Sequence, residues 1–561
     1  MHISRRTAIK LILGGGSTLY LSACSSGVSR LLQQGGPSHL QEYSPIDRTL
    51  PSPAPKQFFA DNFTKPHAVL WDKQGYLKAN NLSIGAPTER VPLVIVGGGI
   101  SGLTTAYLLR DLNPVVLEQD KRFGGNSKGQ SWNGLDYSIG AAYFIEPEPD
   151  TEIDALIREL GIDSLWKIKT DEDPVQLAGE MYRGFWEGET LQGDARGLRQ
   201  LDLLKTYFTS VNEGEAVPYP DIPITDPELV PYIQKLDQVS FKQHLETIVG
   251  EPLHEQIETA LEHYCWSSLC ASANEVSAAA GLNFYAAEFG NIAVLAGGNS
   301  RVAERLLERI SATLSPSNLR PQSLVFDIDV TGDGVLVSYL DGEGALHTIL
   351  ADSVVMSCPK FVAKKIINDL EPERSEVISR LTYRSYLVAN VCLGGGTQDP
   401  FYDLYLLGDG KLHGNSAQEA SNYRRATDVI MANYAQSDDH STVLTLYRGM
   451  PYDGARAELY LETSYEKYRK EFEDQIHESI LPALKISPER VEDLRIARWG
   501  HPLVVPKPGM IGSSDVERIR APFKERVFFV EQDNWMLPAF ETSVTEALEW
   551  APKVRASLTG V

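Results

Sequence analysis

Gly97, Gly99 and Gly102 stand in the spacing Gly-x-Gly-x-x-Gly between an apolar run, Leu93 to Val96, and a helical apolar pattern, Leu103, Ala106, Tyr107 and Leu109. Glycines so placed serve three needs: a tight turn, close approach of backbone N–H groups to a pyrophosphate, and close packing of helix on strand. Phosphate charge would then sit on the helix N-terminus at Ile100 and Ser101, where free N–H groups and the helix dipole favour an anion. A second apolar run, Pro114 to Leu117, ends in Glu118. That carboxylate is placed to accept from a ribose hydroxyl pair and to repel a 2′-phosphate, which disfavours NADP. Any sharp strand-to-helix turn could use the glycines alone. Strand, helix and terminal acid in this order predict dinucleotide binding.

The stretch from Leu117 to Ser127 continues the pattern with Gln119, Arg122, the pair Gly124-Gly125 and Asn126. It resembles the flavin-containing amine oxidase superfamily, which includes monoamine and polyamine oxidases, L-amino acid oxidases and phytoene-desaturase-like enzymes. An NAD-dependent dehydrogenase is poorly supported, because ordinary members of that class lack this extension. The resemblance recurs through most of the chain from Val91 onward. Gly297-Gly298 precedes an amphipathic helix (Val302, Leu306, Leu307, Ile310). Val325 and Ile328, then Asp333 to Val337, look like the family's adenine-side strand and hairpin, and Ala351 to Pro359 like its return strand. The resemblance implies FAD as cofactor. It also implies an α/β fold, a Rossmann-type FAD-binding domain interleaved with a substrate domain of mixed sheet plus helices.

Departures from the family pattern are equally specific. Asn126 stands where an Arg usually follows the glycine pair, so its contacts are absent or supplied by Arg122 or Lys128. The C-terminal flavin segment keeps its strand and its acids, Glu531 and Asp533, but lacks the usual glycine. Phe540-Glu541 and Val544 match the helix start, yet Glu546-Ala547 replaces Ser-Gly. Many amine-oxidising members place a Lys near the flavin after the return strand; Glu371 to Val377 has none. Lys360, Lys364 and Lys365 come too early and read as solvated helix-face residues.

Flavin carries the hydride chemistry, so the protein's share is orientation, electrostatics and exclusion of water. Arg498-Trp499-Gly500-His501-Pro502 resembles the family's Trp-containing strand at the flavin boundary. Trp499 is a candidate wall of a substrate pocket. His501 is either a proton exchanger near neutral pH or a structural His beside proline. Trp535 and Tyr143 are further candidates for the same cavity. The function implied is hydride transfer from a small organic substrate, an amine, amino acid or polyamine, to flavin. The alternative from another class is a flavin-binding or FAD-free lipoprotein with a scaffold or assembly role.

The N-terminus carries a separate message. Ser4-Arg5-Arg6-Thr7-Ala8-Ile9-Lys10 matches the twin-arginine export pattern except at Ala8, where Phe is usual. The apolar stretch Leu11 to Leu21 is too short to span a bilayer. Leu21-Ser22-Ala23-Cys24 resembles a lipobox cut before a lipid-modified cysteine; the plainer reading is a signal peptide whose cysteine is incidental. The expected partners are therefore the twin-arginine export machinery, a membrane through the lipid anchor, and a small-molecule substrate. The expected location is the periplasmic or extracytoplasmic face. Twin-arginine export carries folded proteins, which suits a cofactor loaded beforehand.

Length and charge bound the rest. The chain has 561 residues, 42% of them hydrophobic, enough to bury a large core in two intertwined domains. A formal charge of −23 excludes a nucleic-acid-binding surface of the usual basic kind. It either steers cationic substrates or merely solubilises. Beyond Cys24, the four cysteines fit neither a zinc site nor a dense disulfide scaffold. The organisation read from composition and periodicity is a signal peptide at 1–24 and a Ser-, Gly- and Pro-rich flexible tether at 25–60. FAD-binding segments follow at 61–150, 291–360 and 501–561, interleaved with a mainly helical substrate segment at 151–290 and a sheet-bearing one at 361–500.

Overall fold

The computed structural model describes residues 43–397, 400–412 and 425–560. The twin-arginine pair Arg5-Arg6 and the lipobox cysteine Cys24 lie outside the described residues.

Two large sheets position everything that follows. The first is built around parallel strands: Leu319–Arg320, Val115–Leu117, Glu89–Val96 and Leu346–Met356 lie side by side, with Val527–Phe529 also beside the last. Leu93, Val94 and Ile95 are fully buried, as expected of a parallel strand covered on both faces, and this is why the stretch reads as an unbroken apolar run. Past its parallel half, the long strand Leu346–Met356 pairs with the hairpin formed by Leu324–Thr331 and Gly334–Leu340. Helices Ile100–Leu108, Ser300–Ser311 and Phe540–Thr559 share one core over this sheet, through Leu103, Leu306 and Val544 among others. The fold is the expected α/β one with an interleaved second domain.

The second sheet has eight strands in the order Glu180–Tyr182, Val175–Leu177, Asp403–Leu406, Asp428–Met431, Ser441–Met450, Tyr383–Gly394, Val491–Val504 and Phe58–Ala60. Its two longest neighbours, Tyr383–Gly394 and Val491–Val504, pair in register so that Tyr386 stands opposite Trp499. The second of these runs through the boundary expected at residue 500. A helical lobe, Ala195–Glu213, Phe241–Val249, Glu255–Leu269 and Ala278–Ala287, packs over it around Phe208, Phe241 and Leu261. Ser240 caps Phe241–Val249 reciprocally with Gln243, a capping box.

The flexible tether expected at 25–60 is corrected over its described part. Ile46–Asp47 pairs with Gly129–Gln130, and Phe58–Ala60 adds a parallel edge strand along Ile496–Arg498. Proline-rich composition does not reveal an open sheet edge elsewhere in the chain, and such an edge recruits any strand that reaches it. Just after it, helix Thr64–Leu70 places Val69 against Leu324 and Phe326 of the cofactor-side hairpin.

Candidate active site

One cavity of about 2110 Å³ runs from the glycine turn to the second sheet. At its cofactor end the three glycines do different work. A Cβ on Gly102 would lie 2.0 Å from the Gly97 carbonyl oxygen, and one on Gly97, whose φ is +108°, would lie 2.4 Å from that of Ser357. Those two positions are structural. A Cβ on Gly99 meets nothing closer than the Gly125 Cα at 3.6 Å, so the fold tolerates it and only an occupant of the cavity would not. The N–H groups of Gly98 and Asp120 donate to the two oxygens of Glu118, at 2.7 and 2.8 Å, fixing that carboxylate at the strand end. Burial raises its pKa, and it lines the cavity with Gln119, Gly124, Gly125, Asn126 and Val325. Ser357 Oγ, at the end of the return strand, also faces this space and has no hydrogen-bond partner among the described residues. An open Gly99, a fixed carboxylate and an orphaned hydroxyl around such a volume fit a dinucleotide.

Two cations considered for the missing Arg are placed differently from one another. Arg122 is buried and donates to the carbonyls of Pro45 and Gly129, at 2.9 and 3.0 Å. It does not line the cavity. Its guanidinium is consumed by the N-terminal strand that the tether reading did not anticipate. Lys128 does line it, paired with Asp120.

At the opposite edge, Glu531 and Asp533 line the cavity and are held by Lys360. The Lys360 Nζ lies 2.7 Å from Glu531 and also donates to Asn534, while its backbone N–H donates to Asp533 at 3.0 Å. The Tyr383 hydroxyl donates to Asp533 as well. Lys360 is fully buried, which corrects its reading as a solvated helix-face residue. Burial pushes Glu531 up to about 8, against the opposing pull of Lys360. Glu546, where the family has Ser, is fully buried too and accepts from the indoles of Trp535 and Trp550 and from Arg520. Trp535 is thereby turned into the protein and does not line the cavity. Glu541 does, accepting from the Ile145 N–H at 2.7 Å.

The second sheet supplies the far wall. Trp499 donates through Nε1 to the Ile139 carbonyl at 2.6 Å, which fixes its ring against the cavity. His501 lines it as well, stacked on Phe361 at 4.6 Å. Burial first, then the charge of Arg456, pushes His501 down to about 3. It is a neutral ring at pH 7, and the expected proton exchange near neutrality does not suit this environment. Tyr143, a candidate from the sequence, lines the cavity and donates to Glu288 at 2.9 Å; Tyr264 donates to the same carboxylate at 3.1 Å. Asp403 and Asp428 are buried beside them on the same wall. Burial pushes Asp428 up to about 7 and raises Asp403 strongly. Lys169 stands behind this group, paired with Asp173.

Sequence reasoning missed Ser357, Lys360, Glu288, Asp403, Asp428 and Tyr264. For Ser357 a signal existed, a polar residue closing an apolar strand of the nucleotide sheet. The acids and Tyr264 lie on separate strands and helices, and each looks like an ordinary surface residue or core aromatic on its own.

The family model for flavin containing amine oxidoreductase matches residues 100–529. Oxidoreductase PigB of Serratia sp. (strain ATCC 39006) is 22% identical over 560 residues, covering 90% of this chain and 80% of that protein. The flavin-containing amine oxidase B of Sus scrofa is 28% identical over 316 residues, 54% of this chain and 56% of its own length. Among solved structures, putrescine oxidase bound to putrescine superposes with a TM-score of 0.60 at 18% identity, covering 84% of this chain and all of that one. Cyclohexylamine oxidase from Brevibacterium oxydans gives 0.56 at 17%, covering 83% and 99%; both are likenesses of fold. The chain belongs to the flavin-containing amine oxidoreductase family; it is an FAD-dependent oxidoreductase. Backbone at Gly99, Ile100 and Ser101 would hold the pyrophosphate, Glu118 the ribose and Val325 the adenine side.

Proposed function

We propose that this FAD-dependent oxidoreductase oxidises a small organic amine, an amino acid or a polyamine included, at a carbon that bears nitrogen. The observation that carries the reading is the acid and tyrosine cluster at the substrate end. Glu288, Asp403 and Asp428 all face the cavity, and the nearby cation, Lys169, is already paired with Asp173. Carboxylates gathered against a pocket wall favour a cation inside it, and the tyrosine ring faces add to that attraction.

When bound, FAD supplies the hydride acceptor. The chain's own residues do the rest. Glu288, steadied by the hydroxyls of Tyr143 and Tyr264, holds the positive nitrogen. Asp428, with burial setting it near 7, takes the nitrogen's proton on its carboxylate, the range in which a general base works best at neutral pH. The fixed indole of Trp499 makes a flat wall at the substrate end, and the neutral stack of His501 on Phe361 continues the wall toward solvent. The amine oxidase names among the relatives support the same substrate class.

Export and anchoring belong to this proposal too. The twin-arginine pattern at Arg5-Arg6 and the lipobox ending in Cys24 support a protein carried out folded and lipid-anchored on the extracytoplasmic, periplasmic face. No helix among the described residues is long and apolar enough to cross a membrane. Anaerobic titration of the purified protein with amines, amino acids and polyamines tests the activity. Bleaching of the flavin bands by one of them, weakened in Glu288→Gln through a raised KM, is the expected result. Bands that no candidate bleaches would overturn the amine reading.

A further inference from the structure

The solvent-facing part of the cavity wall divides by charge. The segment from Gly214 to Tyr232 brings Glu215, Asp221, Asp226 and Glu228 to it and contains no Lys or Arg. Elsewhere on the wall the sign reverses. There Trp71, 72% exposed, stacks on His67 at 4.6 Å with the rings 13° apart. Phe361 stacks on His501 at the same distance, and the two stacks meet edge to face, His67 to His501 at 6.3 Å. Lys365 and Arg456, both exposed, line the same stretch, and neither has an ion pair or hydrogen bond among the described residues. Of the carboxylates nearby, Asp61 is engaged by Arg498 at 2.8 Å, while Asp453 is 84% exposed and only shares Arg384, at 3.4 Å, with the two-pronged contact of Glu275.

In a chain of net charge −23, two unpaired cations beside two aromatic stacks, one of them ending in an open indole, are a specific combination. Each property alone is ordinary. Together on a cavity wall they supply stacking surface and anion attraction at one place, which solvent alone does not repay. The volume allows it, because ligand pockets usually hold about 300–1,000 Å³ and this cavity has about 2110 Å³.

We propose that this stretch is a binding site for a planar aromatic anion, of the aryl carboxylate or aryl sulfonate class.

The test uses the FAD-loaded protein and anthraquinone-2-sulfonate, with 2-(hydroxymethyl)anthraquinone as the neutral control, followed by quenching of tryptophan fluorescence. The double variant Lys365→Glu/Arg456→Glu should weaken the sulfonate at least about tenfold, spare the neutral quinone, and abolish the salt dependence of binding. Trp71→Ala should weaken both several-fold. Unchanged sulfonate affinity in the double variant overturns the proposal. So does loss of FAD from that variant, which would assign the two cations to the cofactor's own phosphates. Amine bleaching of the flavin is read separately. If bleaching persists while sulfonate binding ignores these residues, the site fails and the amine reading stands. If the charge-reversed protein loses the sulfonate but no amine bleaches the wild type, the site stands and the amine reading fails.

Discussion

Replacing Lys360 by Met removes the one ammonium from a buried cluster that keeps Glu531, Asp533 and Asn534 in contact with it. The backbone N–H to Asp533 survives; the Nζ contacts do not. Breaking a buried pair from one side typically costs about 3–5 kcal/mol, because the remaining carboxylate is stranded. Here the cost should depend on pH. Burial already raises Glu531 from its ordinary 4.5 to about 8, with Lys360 opposing the rise. A carboxylate whose folded-state pKa is raised binds protons more tightly in the native state, so its contribution to stability falls as pH rises from the unfolded value through the folded one. Loss of Lys360 lifts the folded value further and extends that fall to higher pH. At pH 6, below the raised value of Glu531, the variant should lose mainly the Nζ hydrogen bonds, about 1–2 kcal/mol. At pH 9 the loss should approach about 3–5 kcal/mol. Equilibrium urea denaturation at the two pH values, with flavin occupancy measured alongside, reads both numbers. Adding Glu531→Gln to the Met variant should recover most of the pH 9 deficit, since the stranded charge is gone. A deficit equal at pH 6 and pH 9, or one that Glu531→Gln leaves untouched, would refute this account of the cluster.

Gly99→Val should leave the melting temperature of the cofactor-free protein nearly unchanged while FAD occupancy falls to background; Gly102→Val, whose Cβ lands 2.0 Å from the Gly97 oxygen, should fail to fold, and equal FAD content in Gly99→Val and wild type would sink the cradle assignment. Glu262, pushed by burial from 4.5 to about 7, should make stability fall as pH rises between those values by up to about 3 kcal/mol. Glu262→Gln should remove that slope, and a pH–stability curve merely displaced in parallel would count against it. Changing Arg5 and Arg6 together to Lys should leave the precursor in the cytoplasm, and Cys24→Ser should yield protein that no longer fractionates with membranes; ordinary membrane fractionation of the Cys24→Ser protein would rule out lipidation.

The cofactor half was legible because its chemistry is local. Gly97 to Gly102, the strand before them and Glu118 are a short stretch of chain whose spacing maps directly onto turn, helix and strand end. The substrate end was not, since Glu288, Asp403, Asp428 and Tyr264 converge from two helices and two strands, and no spacing links them. Lys360 shows how local reading misleads. With Lys364 and Lys365 it makes a plausible solvated face, yet Lys360 opens helix Lys360–Ile366 directly beneath the segment Glu531 to Asn534, and that long-range neighbour decides its burial. His501 failed differently. Its position on the cavity was readable, but its protonation is set first by burial and then by Arg456 and His67, which reach it from other segments.

The departures at Asn126 and after Glu531 look, in sequence, like erosion of a flavin edge. Their contacts argue otherwise. The Asn126 amide donates to the Pro502 carbonyl at 3.2 Å, and the Gln532 amide donates to the same carbonyl at 3.2 Å. One oxygen thus ties the glycine-pair loop and the C-terminal acid segment to the strand bearing Trp499 and His501. An arginine at 126 would bring a charge to that junction, whereas two neutral amides satisfy it without adding one. The cation is found instead at Lys360, inside the fold, where it offsets Glu531 and Asp533 from behind. A decaying site leaves orphaned charges and loosened loops. This edge has its amides converged on one carbonyl and its acids set against Lys360, which is the organisation of a maintained edge.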